Sequence, residues 1–471
     1  MRYVSTRGRA PELGFADVLL AGVARDGGLY VPEAWPELAL PAGRSSYVDT
    51  ALAVVRPYVG GEIGDEDLAR LCREAYATFR HPAVCPLVQI GPDEWLLELF
   101  HGPTLAFKDV ALQLVGRLFD HVLASRGERV LVVGATSGDT GSAAIEALRR
   151  CAHVDVVMLY PHGRISDVQR RQMTTVDSPN VHTVAVEGTF DDCQDLVKAM
   201  FADIAFRDRH RLSAVNSINW ARVMAQIVYY VTAARSLGGG PGGRPVTFSV
   251  PTGNFGNVLA GWVAQRTGLP LGRLVVGSNR NDILTRFLHS GIMATSGVVP
   301  TLSPSMDIQV SSNVERLLFE LNHRDGGLTA EQMLRFRDTG RLVVEPDQYT
   351  ELGECFDGAR IDDEATLSII KTVYEETGQL VDPHTAVGIG AAQAARAAQR
   401  PPGRAEPVVV LATAHPAKFP DAVEQATGVR PALPAPLAEA LERPEQSALV
   451  PNDLVAVQAH VDDVAGRRSG R

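Results

Sequence analysis

Short apolar runs alternate along this chain with longer segments whose apolar residues recur every three or four positions. The runs predict buried strands at residues 129–134, 155–159, 246–250 and 408–413. The amphipathic spacing predicts helices at residues 110–123, 142–149, 190–206, 221–234 and 366–376. Strands that alternate with helices favour parallel sheets covered by helices on both faces. The predicted fold class is therefore α/β.

Residues 1–85 follow a different pattern and are predicted to form a separate mixed segment, with helices near 15–24 and 66–79. The stretches at 238–245 and 400–407 are rich in glycine and proline and are each followed by an apolar run, which is typical of connectors. A chain of 471 residues is too long for one simple core. We therefore expect two or three packed lobes.

Composition narrows the class of protein without identifying it. Hydrophobic residues make up 45% and charged residues 21%, and a net charge of −10 without a basic stripe argues against nucleic acid as a partner. The five scattered cysteines include no CxxC pair, so neither a disulfide framework nor a structural zinc site is expected. Neither the N-terminus nor the interrupted apolar stretch at 246–265 resembles a signal peptide or membrane span. We expect a cytoplasmic protein that does not bind membranes.

Lysine is scarce, which limits the candidates for amine chemistry. The chain has four lysines: Lys108, Lys198, Lys371 and Lys418. Lys108 follows an apolar strand and a Gly-Pro turn, and packing between Phe107 and the next helix would lower its pKa and favour the neutral amine that attacks a carbonyl. The alternative for Lys108 is a solvated lysine at the start of a helix. Lys198 and Lys371 fit solvated positions on amphipathic helices.

Two loops of glycine and small polar residues follow predicted strands. Residues 134–141 read GATSGDTG, and residues 251–257 read PTGNFGN. Each loop opens a helix, where backbone N–H groups converge on an anion. A carboxylate or phosphate suits the first loop, although an ordinary capped turn explains it equally. The second lacks the P-loop lysine and the GxGxxG spacing, which argues against a nucleotide and for a small phosphorylated cofactor.

The segment at 412–419, ATAHPAKF, ends the last predicted strand. Thr413 offers a neutral hydroxyl to a ring nitrogen. His415 is a candidate base, but its place beside a proline in a turn favours a structural role.

These segments, in this order, resemble the threonine synthases, within the fold-type II pyridoxal-phosphate enzymes. HGPTLAFKD, ATSGDTG, PTGNFGN and TAHPAKF are each similar to that family's own segments, as are VNSINWAR, SPSMDI and DGGLYVP elsewhere in the chain. The resemblance covers residues 3–430 and fits the longer bacterial and fungal subgroup. It implies a tryptophan synthase β-like fold, with two interleaved α/β lobes at 86–430 and a C-terminal extension at 431–471.

The resemblance also implies roles for residues that match the family's motifs. Lys108 is the implied catalytic residue and holds pyridoxal phosphate as a Schiff base. The implied cofactor-binding residues are Lys108, Gly253, Asn254, Phe255, Gly256, Asn257 and Thr413. The implied substrate-binding residues are Thr136, Ser137, Gly138, Asp139, Thr140, Asn216, Asn219 and Arg222. Many relatives have asparagine where this chain has Asp139, whereas the longer subgroup usually has aspartate.

The activity implied by the resemblance is loss of phosphate from O-phospho-L-homoserine and addition of water at Cβ, giving L-threonine without a metal. Lys108 would remove the α-proton as general base. The implied partner is this small substrate, and the implied assembly is a monomer or homodimer. Three alternatives stay open: a threonine or serine dehydratase of the same fold, a catalytically idle binding protein, and a nucleotide-binding oxidoreductase. Intact Lys108, Gly253 and Thr413 argue against the second, and the missing nucleotide fingerprint argues against the third.

Overall fold

The computed structural model describes residues 1–41, 43, 45–136, 138–214, 217–239, 243–398 and 406–466. The strands in chain order are β1 Tyr3–Ser5, β2 Tyr30–Pro32, β3 Leu87–Gly91, β4 Glu94–Glu98, β5 Val130–Ala135, β6 Val154–Pro161, β7 Val181–Glu187, β8 Leu212–Ser213, β9 Val246–Pro251, β10 Leu271–Ser278, β11 Ile292–Ala294, β12 Arg341–Val343, β13 Phe356–Arg360, β14 Val408–Ala412 and β15 Ala448–Pro451.

The helices in chain order are α1 Phe15–Ala21, α2 Tyr47–Val59, α3 Asp65–Tyr76, α4 Lys108–Arg126, α5 Asp139–Leu148, α6 Asp167–Thr174, α7 Phe190–Ala202, α8 Ile204–His210, α9 Trp220–Ser236, α10 Gly256–Arg266, α11 Ile283–Ser290, α12 Val314–Leu321, α13 Gly326–Thr339, α14 Pro346–Cys355, α15 Asp363–Thr377, α16 Pro383–Ala398, α17 Pro420–Thr427, α18 Ala435–Glu442 and α19 Leu454–Gly466. Short 3-10 turns occur at Pro304–Met306 and Pro416–Lys418. No helix within the described ranges is long and apolar enough to cross a membrane.

Two sheets organise the molecule. The larger has the order β13-β10-β9-β14-β4-β3 and is parallel except for the antiparallel pair β3–β4. The smaller has the order β15-β7-β6-β5-β8 and is parallel throughout. Every residue of β6 and β9 is buried, as expected of parallel strands covered on both faces. The α/β prediction with two parallel-sheet lobes is confirmed.

Three neighbouring strands of the larger sheet, β4, β9 and β14, end at the same edge and position the predicted site residues. The chain leaves β4 through the turn that carries Lys108, leaves β9 into the loop at 252–255, and leaves β14 at Thr413. Because β14 pairs with both β4 and β9, these three exits lie at one edge. The Phe107 N–H donates to the Thr413 carbonyl at 2.8 Å, which ties the lysine turn to the end of β14.

The predicted helix at 190–206 is wrong in one respect, because the structure has two helices there, α7 and α8. The break falls at Asp203, whose carboxylate accepts the Phe206 N–H at 3.0 Å and caps α8. Apolar spacing continues across the break, so periodicity alone does not reveal it.

The C-terminal residues belong to the smaller lobe. Strand β15 pairs in parallel with β7, α18 packs on α6, and α19 packs on α7. The described part of the region predicted as an extension at 431–471 therefore supplies the edge strand of the smaller sheet.

Candidate active site

Lys108 is the first residue of α4 and is buried, with its ammonium 4.9 Å from the centre of the Phe107 ring. The preceding turn is tight enough to hold Leu105 in the left-handed region, at φ 63°. Burial lowers the pKa of Lys108; the Asp139 carboxylate opposes this, and the nearby Lys418 and Arg222 charges add to it. The expected desolvated lysine is present, and its neutral amine is favoured as a nucleophile and base.

Asp139 is the first residue of α5 in the smaller lobe, and its side chain lies beside Lys108. Its carboxylate lies 2.7 Å from the Lys418 ammonium and 3.7 Å from the Lys108 ammonium, and accepts from Gln169 Nε2 at 3.1 Å. Burial alone would raise the pKa of Asp139, but the Lys418 and Lys108 charges hold it well below its usual range. Asp139 is thus an ionised carboxylate paired most closely with Lys418, which leaves Lys108 the less tightly paired amine.

The position of Lys418 is the one that could least be expected from the sequence. Its side chain has no solvent exposure, and its ammonium also donates to the Thr104 carbonyl at 2.8 Å. It lies in the 3-10 turn after β14, inside the TAHPAKF segment that resembles the family motif. That segment and the scarcity of lysine were the available signals.

The loop between β5 and α5 is organised by its own threonine. The Thr136 hydroxyl accepts the N–H groups of Gly138 and Gly141, each at 3.0 Å. Gly138, the N-cap residue of α5, has no side chain to accept hydrogen bonds, so the Asp139 and Thr140 N–H groups have no partner among the described residues and are open to an anion. Asp139 points to the lysines, Thr140 is half-buried, and Ser137 lies outside the described residues.

The loop from Gly253 to Asn257 is held from behind by residues 305–313. Asn313 Nδ2 donates to the Asn254 carbonyl at 3.0 Å, and the Ser311 hydroxyl donates to the Gly253 carbonyl. A Cβ on Gly253 would lie 2.9 Å from the Ser305 carbonyl oxygen, so only glycine fits there. Phe255 precedes α10 at φ 61°, and no side chain caps this helix.

Two buried side chains near these loops carry donors without partners. Asn257 accepts at Oδ1 from the hydroxyls of Tyr229 and Tyr230, but its Nδ2 has no partner among the described residues. Arg222 likewise has no described partner at Nε or Nη1, and burial lowers its pKa to about 10. A buried guanidinium without a carboxylate favours an anionic ligand.

The other predicted positions have local partners. Asn219 caps α9 by accepting the Ala221 N–H at 3.0 Å, and its Nδ2 donates to the Leu19 carbonyl at 2.8 Å. His415 accepts the Ala417 N–H at 3.1 Å, and burial lowers its pKa to about 4. Both contacts favour structural roles for these two side chains. Thr413 is buried at the end of β14, and Asn216 lies outside the described residues.

Comparisons with known proteins give matches along nearly the whole chain. The profile of a family described as pyridoxal-phosphate dependent enzymes matches residues 85–414, and profiles of the threonine synthase N terminus and C-terminal region match residues 2–76 and 385–461. The threonine synthase of Pseudomonas aeruginosa is 54% identical over 472 residues and covers 99% of each chain. The chain belongs to the threonine synthase family. The threonine synthase of Saccharomyces cerevisiae is 44% identical, and the match covers 90% of this chain and 88% of the yeast protein.

Solved structures of the threonine synthase family agree with this assignment. A PLP-bound threonine synthase from Brucella melitensis superposes with a TM-score of 0.94 at 52% identity, covering 98% of this chain and 99% of that one. A threonine deaminase from Solanum lycopersicum has a TM-score of 0.52 at 13% identity and covers 77% of this chain and 93% of that one, a likeness of fold alone. The predicted family, fold type and pyridoxal phosphate cofactor are confirmed by these matches. The individual site residues stay predictions.

The residues present in the site fit pyridoxal phosphate. The uncapped start of α10 and the free Asn257 Nδ2 suit its phosphate, and the buried Lys108 amine suits its aldehyde. Thr413 lies at the end of β14, which is placed between β4, the strand that leads to Lys108, and β9, the strand that leads to the loop at 253–257. A neutral hydroxyl there suits the pyridine nitrogen.

Proposed function

We propose that this chain converts O-phospho-L-homoserine and water into L-threonine and phosphate, with Lys108 as the residue that bonds to the cofactor. The observation that carries the assignment is the buried Lys108 beside an ionised Asp139 that Lys418 already pairs. The loop at 253–257 binds the cofactor phosphate, and Thr413 faces the ring nitrogen. When bound, the cofactor supplies an electron sink for bonds broken at the substrate's Cα and beyond.

Lys108 does the proton transfer in this proposal. With cofactor and substrate bound, the Lys108 Nζ would act as a neutral amine that accepts the Cα proton. Burial favours this neutral form. Asp139 and Lys418 hold opposite charges 2.7 Å apart beside the amine, so its surroundings stay fixed while the proton moves.

The substrate has two anionic ends, and the site has two anion-binding features left for them. The loop at 136–140 leads into α5, where the Asp139 and Thr140 N–H groups have no partner among the described residues, and it suits the α-carboxylate. Arg222 has unpartnered donors and suits the phosphate that leaves, because the loop at 253–257 is committed to the cofactor.

Incubation of holoenzyme with O-phospho-L-homoserine tests this function. We expect threonine and phosphate in equal amounts, and almost nothing from homoserine, which lacks both the phosphate contact and a good leaving group. A Lys108→Ala variant that folds should form neither product. Faster production of a keto acid from threonine or serine would overturn the proposal in favour of a dehydratase.

We propose a cytoplasmic location as well. All five cysteines are free thiols, and Cys72, Cys85 and Cys193 are buried. Reduced cysteines suit a reducing compartment. Fractionation of the producing cells, with the activity followed in each fraction, tests this.

A further inference from the structure

A cavity of about 980 Å³ lies behind the turn that carries Lys108. Its walls come from α3, α4, α5, α6 and α18, together with Pro103 and Thr104 of the turn. None of the described residues within 134–141, 251–257 or 412–419 lines it. It is therefore separate from the site proposed for cofactor and substrate.

The walls of this cavity carry more positive than negative charge. The arginines that line it are Arg70, Arg80, Arg117, Arg149, Arg150 and Arg443. The lining carboxylates already have basic partners, in the pairs Glu74–Arg70, Glu146–Arg149, Glu439–Arg443 and Asp120–His153. Among the described residues no carboxylate forms an ion pair with Arg80, Arg117 or Arg150. Three guanidinium groups thus line one cavity without a direct ion pair among the described residues, although Glu146 lies near Arg117 and Arg150.

Polar groups at the base of the cavity are also incompletely bonded. Arg117 is half-buried and donates to the Gln113 carbonyl at 2.7 Å and to its Oε1 at 3.0 Å. Gln113 is 2% exposed, and its Nε2 has no partner among the described residues. Gln172 Oε1 is likewise buried without a described partner. Burial lowers the pKa of Arg117, and the nearby Glu74 and Glu146 carboxylates offset this only in part.

We propose that this cavity binds a small polyanionic metabolite, an oligophosphate or a polycarboxylate, at a site distinct from the catalytic one. Guanidinium groups match the geometry of phosphate and carboxylate oxygens. The volume holds a molecule larger than a single inorganic anion.

The cavity is joined to the catalytic residues through the Thr104 carbonyl and through α6. The Thr104 carbonyl accepts from Gln172 Nε2 at 3.1 Å on the cavity side and from the Lys418 ammonium at 2.8 Å on the catalytic side. Gln169, on the same helix as Gln172, contacts Asp139. A ligand that fixes α6 against α4 therefore acts on the carboxylate beside Lys108. This coupling rests on the proposed function, whereas binding in the cavity does not.

Calorimetric titration of the holoenzyme with pyrophosphate, and separately with citrate, tests the site. We expect saturable binding of at least one probe, weakened about ten-fold or more by Arg150→Gln or Arg117→Gln, since each removes a charge-assisted contact. Arg150 is exposed, so its replacement should leave the fold intact. Arg337→Gln, at an exposed arginine on α13, is the matched control and should not change the affinity.

Two results would overturn the proposal. One is the absence of saturable binding for both probes. The other is binding that Arg222→Gln abolishes and that both cavity variants leave unchanged, which would place the anion in the catalytic site. Because the readout is heat of binding, it stands whether or not the holoenzyme forms threonine.

Discussion

Replacing Asp139 by asparagine should destabilise the cofactor-free protein by an amount that depends on pH. The change removes the carboxylate 2.7 Å from Lys418 and 3.7 Å from Lys108. Lys418 has no solvent exposure, and its remaining contact is the Thr104 carbonyl. The variant therefore strands a buried ammonium, and breaking a buried ion pair typically costs about 3–5 kcal/mol.

The cost has an upper limit, because a stranded lysine can lose its proton. With an ordinary lysine pKa of about 10.4, neutralising the amine costs about 5 kcal/mol at pH 7 and about 2 kcal/mol at pH 9. The destabilisation is fully present when the pH lies well below the lysine pKa of the unfolded chain. It fades as the pH rises towards that pKa, because the amine is then increasingly neutral in the unfolded chain as well. We expect a loss of about 3–5 kcal/mol at pH 7 that falls to about 2 kcal/mol at pH 9.

Urea unfolding of wild type and variant at both pH values measures this difference. The double variant Asp139→Asn/Lys418→Met is the matched control, because it removes the stranded charge and should recover most of the stability. If Asp139→Asn costs less than about 1 kcal/mol at pH 7, the size of an exposed pair, then Lys418 is not a stranded buried charge. An equal loss at both pH values, or no recovery in the double variant, would lead to the same conclusion.

Three variants test the roles of single site residues. Thr413→Ala should load cofactor normally but turn over about 2- to 10-fold more slowly, the value of one hydrogen bond, and unchanged turnover in the loaded variant would contradict its placement. Asn257→Asp should weaken cofactor affinity about ten-fold or more in fluorescence titrations, because it removes the free Nδ2 donor and adds negative charge beside a phosphate; wild-type affinity would argue against that contact. Arg222→Gln should raise the KM for O-phospho-L-homoserine about 10- to 150-fold while cofactor affinity is unchanged, and a loss confined to cofactor binding would reassign Arg222 to the cofactor.

Local patterns predicted most of what positions the site. The strands that became β5, β6, β9 and β14 are apolar runs, and each glycine-rich loop follows one of them. Lys108 was predicted at a helix start and begins α4. Such features depend on residues close together in sequence, so periodicity and turn chemistry are sufficient to find them.

Long-range contacts account for what local patterns did not predict. Lys418 reaches Asp139 only because β14 and β5 belong to lobes whose loops face each other. Strand β15 joins the smaller sheet through β7, which a pattern of a few residues cannot specify. The Asn219 side chain was assigned to the pocket from its motif, whereas the structure uses it to cap α9 and to bind the Leu19 carbonyl.

Borohydride reduction of the holoenzyme, followed by peptide mapping, identifies the lysine that bonds to the cofactor. Reduction fixes the cofactor on the lysine that holds it, and the chain offers four lysines. Lys198 and Lys371 are exposed and serve as internal controls for nonspecific labelling. We predict one pyridoxyl group per chain, on Lys108. A label on Lys418, or one spread over the exposed lysines, would contradict the account.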